Sequence, residues 1–391
     1  MTKNATLIIL SLLLIVSCKH EEGNYYRFNP ATLKEGRLLL SQIADDISYI
    51  PLKDINLGLV YNNFQFTDES VFLSVKDIGV LQYSYSGNLL NNIGSVGRGP
   101  GQYIFHVFFS IDEKAKHIYV LDENDNIKVY SETGRFLRDI HTSKYGTFVN
   151  AFNTYNSRLF LSFSMKEGSS QYKWIIIDSV GNIVKKKERN SPPYKSSIGD
   201  NGGTYKFNGC IYYWNLFSDT VFYVNQDFEE KPAFIVSPGS HRLPESKNLS
   251  MDKLMEYMKI EKIFESERYR FIKFYYSPEK NCLAIIEMKT GKSNIIYLES
   301  QKEGFFYNYT GGIDNDLDNG IAFLPKDYFL QNSKEFLIDL IYPYQIKTHI
   351  LSEHFKSSVP KYPEKKKELE TLANNLKETD NPVLVLVRLK D

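Results

Sequence analysis

The sequence predicts an all-β fold, a six-bladed β-propeller of four-stranded antiparallel blades. The first observation is a turn motif centred on Gly87, Gly134 and Gly181, each 47 residues after the one before. The second is the composition, because 28 tyrosines and 26 phenylalanines favour pleated strands. A repeat of this length, built from short strands and glycine turns, is typical of one propeller blade.

The apolar runs between the turns place the individual blades. We assign the first five blades to 58–103, 105–140, 148–187, 205–236 and 269–298, and a less regular sixth blade to 305–350. The turn at Phe228 continues the 47-residue spacing without a glycine, but the next turn, at Gly291, comes later. Apolar residues at helical spacing in 250–264 therefore predict a short helical insertion before blade five.

The C-terminal residues predict how the ring closes. The charged pattern of 363–377 predicts a helix, and Val383–Leu389 reads as a strong final strand. Because an open ring would leave two unpaired sheet edges, terminal strands usually complete a blade. We expect Ile47–Pro51 or Val383–Leu389 to complete a blade with strands from the other end of the chain. Residues 37–391 then form one domain, preceded by a tether over 18–36.

Residues 1–17 have the pattern of a secretory signal peptide. Lys3 precedes an apolar core that is too short to span a bilayer. The core ends at Ile15-Val16-Ser17-Cys18, which resembles the lipobox of bacterial lipoproteins, although Ile at its first position departs from the usual Leu. That resemblance implies cleavage before Cys18 and lipidation of its sulfur, which would anchor the protein to a membrane. An ordinary cleaved signal followed by a chance cysteine is the alternative.

A wider resemblance rests on one glycine-rich segment and two strands. Residues 93–103 resemble the glycine-rich junction of NHL-type propellers, and 118–122 and 127–130 resemble the strands that follow it there. With the lipobox, the chain resembles the six-bladed, NHL-like or TolB-like propeller lipoproteins of Bacteroidota. The resemblance implies an outer-membrane lipoprotein of the cell envelope, facing either the periplasm or the surface. It implies no activity, since that family has none generally assigned.

Charge and cysteine usage narrow the classes of function. The chain has 47 basic and 47 acidic residues, so it shows no electrostatic footprint for nucleic acid. Cys210 and Cys282 each lie in an apolar strand-like run, where we expect buried thiols that pack as small hydrophobes. Their spacing leaves open whether they form a disulfide.

The loop 314–320 contains the only candidate metal ligands. Asp314, Asp316 and Asp318 alternate, as ligands of a calcium loop do. However, its glycine is one position late for an EF-hand, and Pro325 stands where the last carboxylate ligand would be. A solvated turn, in which Asp and Asn side chains stabilise their own backbone, is the alternative interpretation.

Two further residues are candidates for ligand binding. Arg98 lies among the glycines of 94–101, and could face the channel or form a salt bridge between blades. Trp214 could stack on a sugar or peptide at a propeller face, or pack inside a blade. The glycines themselves fit a close crossing between blades better than a phosphate loop, since no Lys-Ser or Lys-Thr follows them.

The sequence favours binding or scaffolding over catalysis. We expect a lipid-anchored propeller that presents one face to a protein, peptide or glycan partner, and we assign no catalytic residue. The alternative is an enzyme of the calcium-dependent lactonase or lyase type, with calcium as its only cofactor. The identity of the ligand and the oligomeric state are not readable from the residues.

Overall fold

The computed structural model describes residues 25–104, 106–190, 202–244, 251–254, 256–277, 280–303 and 306–391. The predicted signal peptide and Cys18 lie outside these residues. Within them, the long strands form six antiparallel sheets. The first strands of neighbouring sheets contact one another around a central channel. The predicted six-bladed propeller is therefore confirmed.

Each of the first four blades consists of four consecutive strands, the first of which lines the channel. From the inside outwards, the strands of blades one and two are Val60–Phe66, Ser70–Val75, Gly79–Ser84 and Leu89–Ile93, then His106–Asp112, His117–Asp122, Asn126–Ser131 and Phe136–His141. Those of blades three and four are Val149–Tyr155, Arg158–Phe163, Tyr172–Ile177 and Ile183–Glu188, then Gly203–Phe207, Cys210–Trp214, Thr220–Val224 and Glu230–Val236.

Blades five and six are less regular. Blade five has the strands Lys259–Glu265, Tyr269–Ser277, Lys280–Glu287, Ser293–Glu303 and Phe306–Thr310, and the last two extend as a hairpin. Blade six has Asp327–Gln331, Lys334–Ile341, Val383–Leu389 and, on its outer edge, Ala44–Pro51. The predicted closure is thus confirmed, since the outer strand of blade six comes from the opposite end of the chain.

The recurring glycine turn joins the third and fourth strands of a blade. Gly87 has a φ of +82°, and a Cβ there would lie 2.1 Å from the carbonyl oxygen of Pro51 in the neighbouring blade. Gly134 has a φ of +80° and approaches the carbonyl oxygen of Asn92 equally closely. Glycine recurs because the turn needs a positive φ and touches the next blade's backbone. Phe228, at a φ of +61°, confirms the corresponding turn in blade four.

The predicted helix over 250–264 is wrong beyond Leu254. Among the described residues of this segment, only Met251–Leu254 is helical, and Lys259–Glu265 is the inner strand of blade five. Ile263 packs in the core that blade five shares with blade four, whereas Phe264 packs in the core on its other side. Four of the seven residues in this strand are charged, and Ile260, Ile263 and Phe264 stand at helical spacing, so the local pattern favours a helix.

The prediction that blade six spans 305–350 is also wrong. Phe306–Thr310 extends blade five, and Pro343–Ile350 is a helix. That helix, Glu353–Ser357 and Pro363–Asn375 form an insertion between the second and third strands of blade six. The helix predicted over 363–377 is confirmed, apart from its last two residues.

Part of the segment predicted as a tether packs on the outside of the ring. Arg27–Phe28 pairs in parallel with the outer strand of blade four, and Glu35 bridges to Ile295 of blade five. The segment then forms the short helix Leu40–Ile43 before it enters blade six. Three short 3₁₀ helices complete the described elements: Pro30–Thr32, Ser143–Tyr145 and Gly239–His241.

The hydrophobic cores lie between adjacent blades. Leu81 and Tyr83 of blade one, for example, share a core with Leu384 and Leu386 of blade six. Cys282 is buried in the core between blades four and five, as predicted, whereas Cys210 is only half-buried. Both are free thiols. None of the helices described is long and apolar enough to cross a bilayer.

Candidate functional site

The loop face is the end of the ring at which the inner strands begin. The long connections 311–326 and 342–382 start from strands that end there. A cavity of about 310 Å³, which we call the mouth pocket, lies on this face between blades five, six and one. It is lined by the starts of two inner strands, Val60–Tyr61 and Glu261–Lys262, and by parts of the two connections and the blade-five hairpin.

Four tyrosines from separate parts of the chain line the mouth pocket: Tyr61, Tyr309, Tyr342 and Tyr344. Tyr344 is 46% exposed and the other three are half-buried. The rings of Tyr342 and Tyr344 are stacked, with centroids 6.1 Å apart and planes inclined by 25°. Exposed aromatic rings with a hydroxyl at one end suit a ligand that is partly apolar and partly polar.

Three lysines line the same cavity, and each forms an ion pair at its wall. The pairs are Lys262 with Asp327 at 2.8 Å, Lys273 with Glu261 at 3.0 Å, and Lys326 with Asp339 at 2.7 Å. The Asp339 side chain is almost completely buried, and the others are partly covered. Each lysine charge is therefore compensated, by Glu261 of the lining and by Asp327 and Asp339, which are not lining residues.

The blade-five hairpin is held over the cavity by one of these pairs. The Tyr309 hydroxyl donates a hydrogen bond to Glu261 at 3.0 Å, and the Lys273 ammonium lies 3.9 Å from the centre of the Tyr309 ring. Burial lowers the pKa of Lys273, Glu261 opposes that shift, and Lys326 adds to it. Tyr309 is thus oriented by contacts to both partners of an ion pair.

The central channel encloses a second cavity, of about 530 Å³. It is lined by aromatic side chains of the inner strands together with polar and charged ones, and Lys206 projects into it. The Lys206 ammonium donates a hydrogen bond to the Thr154 hydroxyl at 3.3 Å, and that hydroxyl contacts Ser110 at 3.0 Å. Hydroxyl and ammonium groups thus connect the inner strands of blades two, three and four.

In the channel, the pKa of Lys206 is lowered and the pKa of Glu113 is raised. Burial lowers the pKa of Lys206, although Glu113 and Asp112 oppose the shift. Burial raises the pKa of Glu113, which Lys206 opposes and Asp68 reinforces. Both side chains remain accessible within the channel, and the first cause of both pKa shifts is the poorer hydration of a charged group there than in bulk water.

A buried ion pair joins blades four and five. Glu265 accepts hydrogen bonds from the Tyr205 hydroxyl and from Arg270 Nε, each at 2.6 Å. The side chains of Glu265 and Arg270 are 2% and 6% exposed. The Arg270 guanidinium also lies 4.0 Å from the centre of the Phe234 ring. These groups satisfy one another, so the cluster positions two blades.

Trp214 lies between the channel and a small cavity near Asp219 and Arg242. Its side chain is 2% exposed, and its ring lies 6.3 Å from that of Tyr205. No acceptor among the described residues meets its Nε1–H. Trp214 is therefore buried and lies outside the mouth pocket, and its role in ligand binding stays a prediction.

Arg98 is exposed on the connection between blades one and two, away from the mouth pocket. The turn around it is organised by Gln102, whose side chain accepts from Gly99 N–H at 2.7 Å and donates to Ser95 at 3.0 Å. Among the ion pairs of the described residues, none includes Arg98. The role of Arg98 in ligand binding stays a prediction.

The aspartates of the loop 314–320 face different partners. Asp314 pairs with Arg37, and Asp316 accepts from the backbone N–H of Ser41 at 2.8 Å and from its hydroxyl. The first two aspartates thus hold the N-terminal segment, at the start of the helix Leu40–Ile43.

Asp318 is fully buried and accepts from Gly320 N–H at 2.8 Å. Its other oxygen, Oδ2, has no hydrogen-bond partner among the described residues, and burial raises the pKa of the carboxyl group. Within the described residues, no three His, Cys, Asp or Glu side chains lie close enough to hold a metal ion. A calcium site that includes these aspartates stays a prediction, and it would need other oxygen ligands.

The sequence interpretation did not find the mouth pocket. Its tyrosines and lysines come from blades one, five and six and from two connections, and no local motif joins them. The high tyrosine count was the available signal, but it could not separate strand-packing tyrosines from those on a face.

The chain was compared with solved structures, curated proteins and protein families. A protein from Bacteroides fragilis, named as exported, superposes with a TM-score of 0.64 at 17% identity, over 93% of this chain and 99% of that one. A member of the DUF4221 family from Bacteroides vulgatus has a TM-score of 0.49 at 14% identity, over 89% and 97%. A search of curated proteins returns no match. The family DUF4934, described as a domain of unknown function, matches residues 26–388, so the chain belongs to that family.

Proposed function

We propose that the protein is a binding module, held at the cell envelope by lipid on Cys18, and that the mouth pocket is its ligand site. The observation that carries the proposal is the convergence of four tyrosines, three lysines and Glu261 on one cavity, with each lysine paired to a carboxylate. Ligand sites are concave, and a few convergent polar groups fix the ligand's orientation in them. At about 310 Å³, the cavity is at the lower end of the usual size range of such sites.

The envelope location rests on separate support. The apolar core of residues 7–16 and the lipobox-like sequence before Cys18 are typical of an exported lipoprotein. The Bacteroides fragilis protein of similar fold is itself named as exported. Lipid on Cys18 would hold the propeller at a membrane surface and leave its loop face accessible to a soluble ligand.

Thermal unfolding with a panel of ligands tests the ligand site. The mature chain is heated alone and with oligosaccharides, peptides and anionic small molecules. A ligand that binds only the folded state raises the midpoint in a concentration-dependent way. We expect one class to do so, and the shift to be lost in Tyr344→Ala. A shift of equal size in Tyr344→Ala would place the ligand elsewhere and refute the mouth pocket as the site.

Labelling tests the anchor separately. Cells that express the full chain are fed an alkyne fatty acid, and the protein is examined for incorporated label. We expect label in the wild type and none in Cys18→Ala. An unlabelled wild type that is nevertheless cleaved and released would support the ordinary signal peptide instead.

One observation favours a second candidate function, the calcium-dependent enzyme. The buried Asp318 Oδ2 without a hydrogen-bond partner is a group that a cation or a proton could satisfy. A calcium site there would need further oxygen ligands from elsewhere, because Asp314 and Asp316 face other partners. Calcium that raises the unfolding midpoint, with reversal by EDTA and loss in Asp318→Asn, would establish this candidate. An unchanged midpoint would remove it.

A further inference from the structure

We infer that the mouth pocket recognises an uncharged oligosaccharide rather than an anion or a peptide. The inference rests on the proposed function, since it names the ligand class of the same site. Three features of the pocket carry it: the balance of its charges, the exposure of its aromatic rings and the covering of its apolar side chains.

The charge balance argues against an ionic ligand. Lys262, Lys273 and Lys326 each have a carboxylate within 3.0 Å, so none offers an uncompensated positive charge. A phosphate or carboxylate ligand would have to displace a charge-assisted hydrogen bond before it could form one. A cationic ligand would have to displace a lysine from its carboxylate before it could pair with that carboxylate.

The same pairs suit hydroxyl groups. An ammonium carries three donors, so a lysine that bonds one carboxylate oxygen keeps two for a ligand. A carboxylate keeps free lone pairs on both oxygens. Glu261 and Lys273 both line the pocket and therefore present an acceptor and a donor side by side, and Lys326 adds a donor whose partner Asp339 is buried. Neighbouring sugar hydroxyls, which both donate and accept, match that arrangement without any net charge.

The aromatic rings of the mouth pocket offer surfaces on which a sugar ring can stack. Tyr344, with 46% of its surface exposed, stands at the rim and is stacked on Tyr342. Tyr61 contributes a half-buried ring from blade one. A pyranose ring has C–H groups on its faces and hydroxyls around its edge, so it can stack on a tyrosine while its edge bonds the charged pairs.

The apolar side chains of the pocket argue against a peptide. Val60, Leu324 and Leu340 line the cavity but are only 6%, 6% and 7% exposed. Peptides and proteins usually bind through apolar or aromatic anchors that fill a well-packed apolar pocket. The mouth pocket exposes polar groups and tyrosine faces, and no such apolar pocket opens among the described lining residues.

Titration calorimetry with matched sugars tests the inference. The mature chain is titrated with neutral β-1,4- and α-1,4-linked hexose tetrasaccharides, with a uronic-acid tetrasaccharide of the same length, and with mixed tetrapeptides, in low and high salt. We expect at least one neutral sugar to bind, with an affinity that changes less than about two-fold with salt, because no net charge is screened.

Two variants and a matched control locate the binding. Tyr344→Ala and Tyr61→Ala are each expected to weaken the neutral sugar by about ten-fold or more, a loss that corresponds to one stacking contact. Tyr297→Ala is the control, since Tyr297 is 43% exposed on the outer strand of blade five and lines no described cavity wall. It is expected to bind as the wild type does.

The outcomes separate the two proposals. Binding of the uronic acid or of a peptide alone, with loss in Tyr344→Ala, would overturn the uncharged sugar and leave the mouth pocket as the ligand site. Neutral-sugar binding that is retained in both tyrosine variants would overturn the mouth pocket itself. Failure of every neutral sugar to bind the wild type would overturn the inference.

Discussion

Ile47 lies opposite Val387 in the antiparallel sheet of blade six, although the two residues come from opposite ends of the propeller chain. Val387 also pairs with Leu337 on its other side, so the strand Val383–Leu389 is central in its sheet. The ring is therefore closed by a strand from the N-terminal part of the chain, which covers the outer edge of Val383–Leu389.

The closing strand can be tested with a cavity-forming substitution. Leu384 is fully buried where blade six packs on blade one, so Leu384→Ala is expected to lower the free energy of unfolding by about 2–5 kcal/mol. Leu330→Ala is the matched control on the same sheet, because Leu330 is 54% exposed. Urea unfolding measures both. Equal effects would show that the closing strand does not contribute to global stability.

Arg270 and Arg268 are a second matched pair. Arg270→Met removes the cation from the buried Glu265, and the expected cost is about 3–5 kcal/mol because an unpaired carboxylate stays behind. Arg268→Met breaks the exposed pair with Glu287 and is expected to leave the unfolding midpoint nearly unchanged. The comparison uses the same urea titration. A wild-type midpoint in Arg270→Met would contradict the role of this pair in joining two blades.

Lys206 is expected to titrate at a lower pH than lysines on the outer rim. Burial lowers its pKa, whereas hydrogen bonds to neighbouring glutamates raise the pKa of Lys186 and of Lys231. Reductive ¹³C-methylation followed by NMR at a series of alkaline pH values measures all three, and Lys206→Met assigns the channel signal. Co-titration of Lys206 with Lys231 would show that the channel ammonium is as well hydrated as the rim.

Because the folded-state pKa of Lys206 is lowered, the unfolded chain binds the proton more tightly. This group's contribution to stability therefore rises with pH, from the lowered folded pKa up to about 10.4, the ordinary value for lysine. Lys206→Met removes that part of the pH dependence. Urea unfolding across the same alkaline range is expected to show a flatter profile for the variant than for the wild type.

Asp318 predicts a pH dependence at the acidic end. Burial raises the pKa of its carboxyl group, so the folded state binds that proton more tightly than the unfolded chain does. The stability it contributes is present below the unfolded pKa, about 3.9, and is lost as pH rises through the folded value. Asp318→Asn is therefore expected to gain stability relative to wild type as the pH rises toward neutral. A difference that is constant with pH would contradict the raised pKa.

Most of the fold could be predicted from local signals. The turns at Gly87, Gly134 and Phe228 stand where the 47-residue spacing puts them, because each needs a positive φ and most such turns select glycine. The inner strand of blade five could not be predicted, since Ile260, Ile263 and Phe264 stand at helical spacing, although Ile263 and Phe264 pack in the cores on opposite sides of the blade.

The candidate site, unlike the fold, could not be predicted from local sequence patterns. Trp214 and the aspartates of 314–318 were visible as local patterns, yet the structure uses Trp214 in packing and Asp314 and Asp316 in holding the N-terminal segment. The tyrosines of the mouth pocket have no local pattern, because a face residue is recognised only by what surrounds it.

By itself, the sequence determined the kind of unit, its repeat length and the closure of the ring, since turn geometry and strand pairing depend on neighbouring residues and on one long-range pairing. Only the tertiary structure decided which side chains share a cavity. Tyr61 and Tyr344 line the same cavity because the ring brings blade one against blade six. Lys273 contacts the Tyr309 ring because a hairpin folds back over its own blade. These contacts depend on the closed ring as a whole, so no local sequence spacing predicts them.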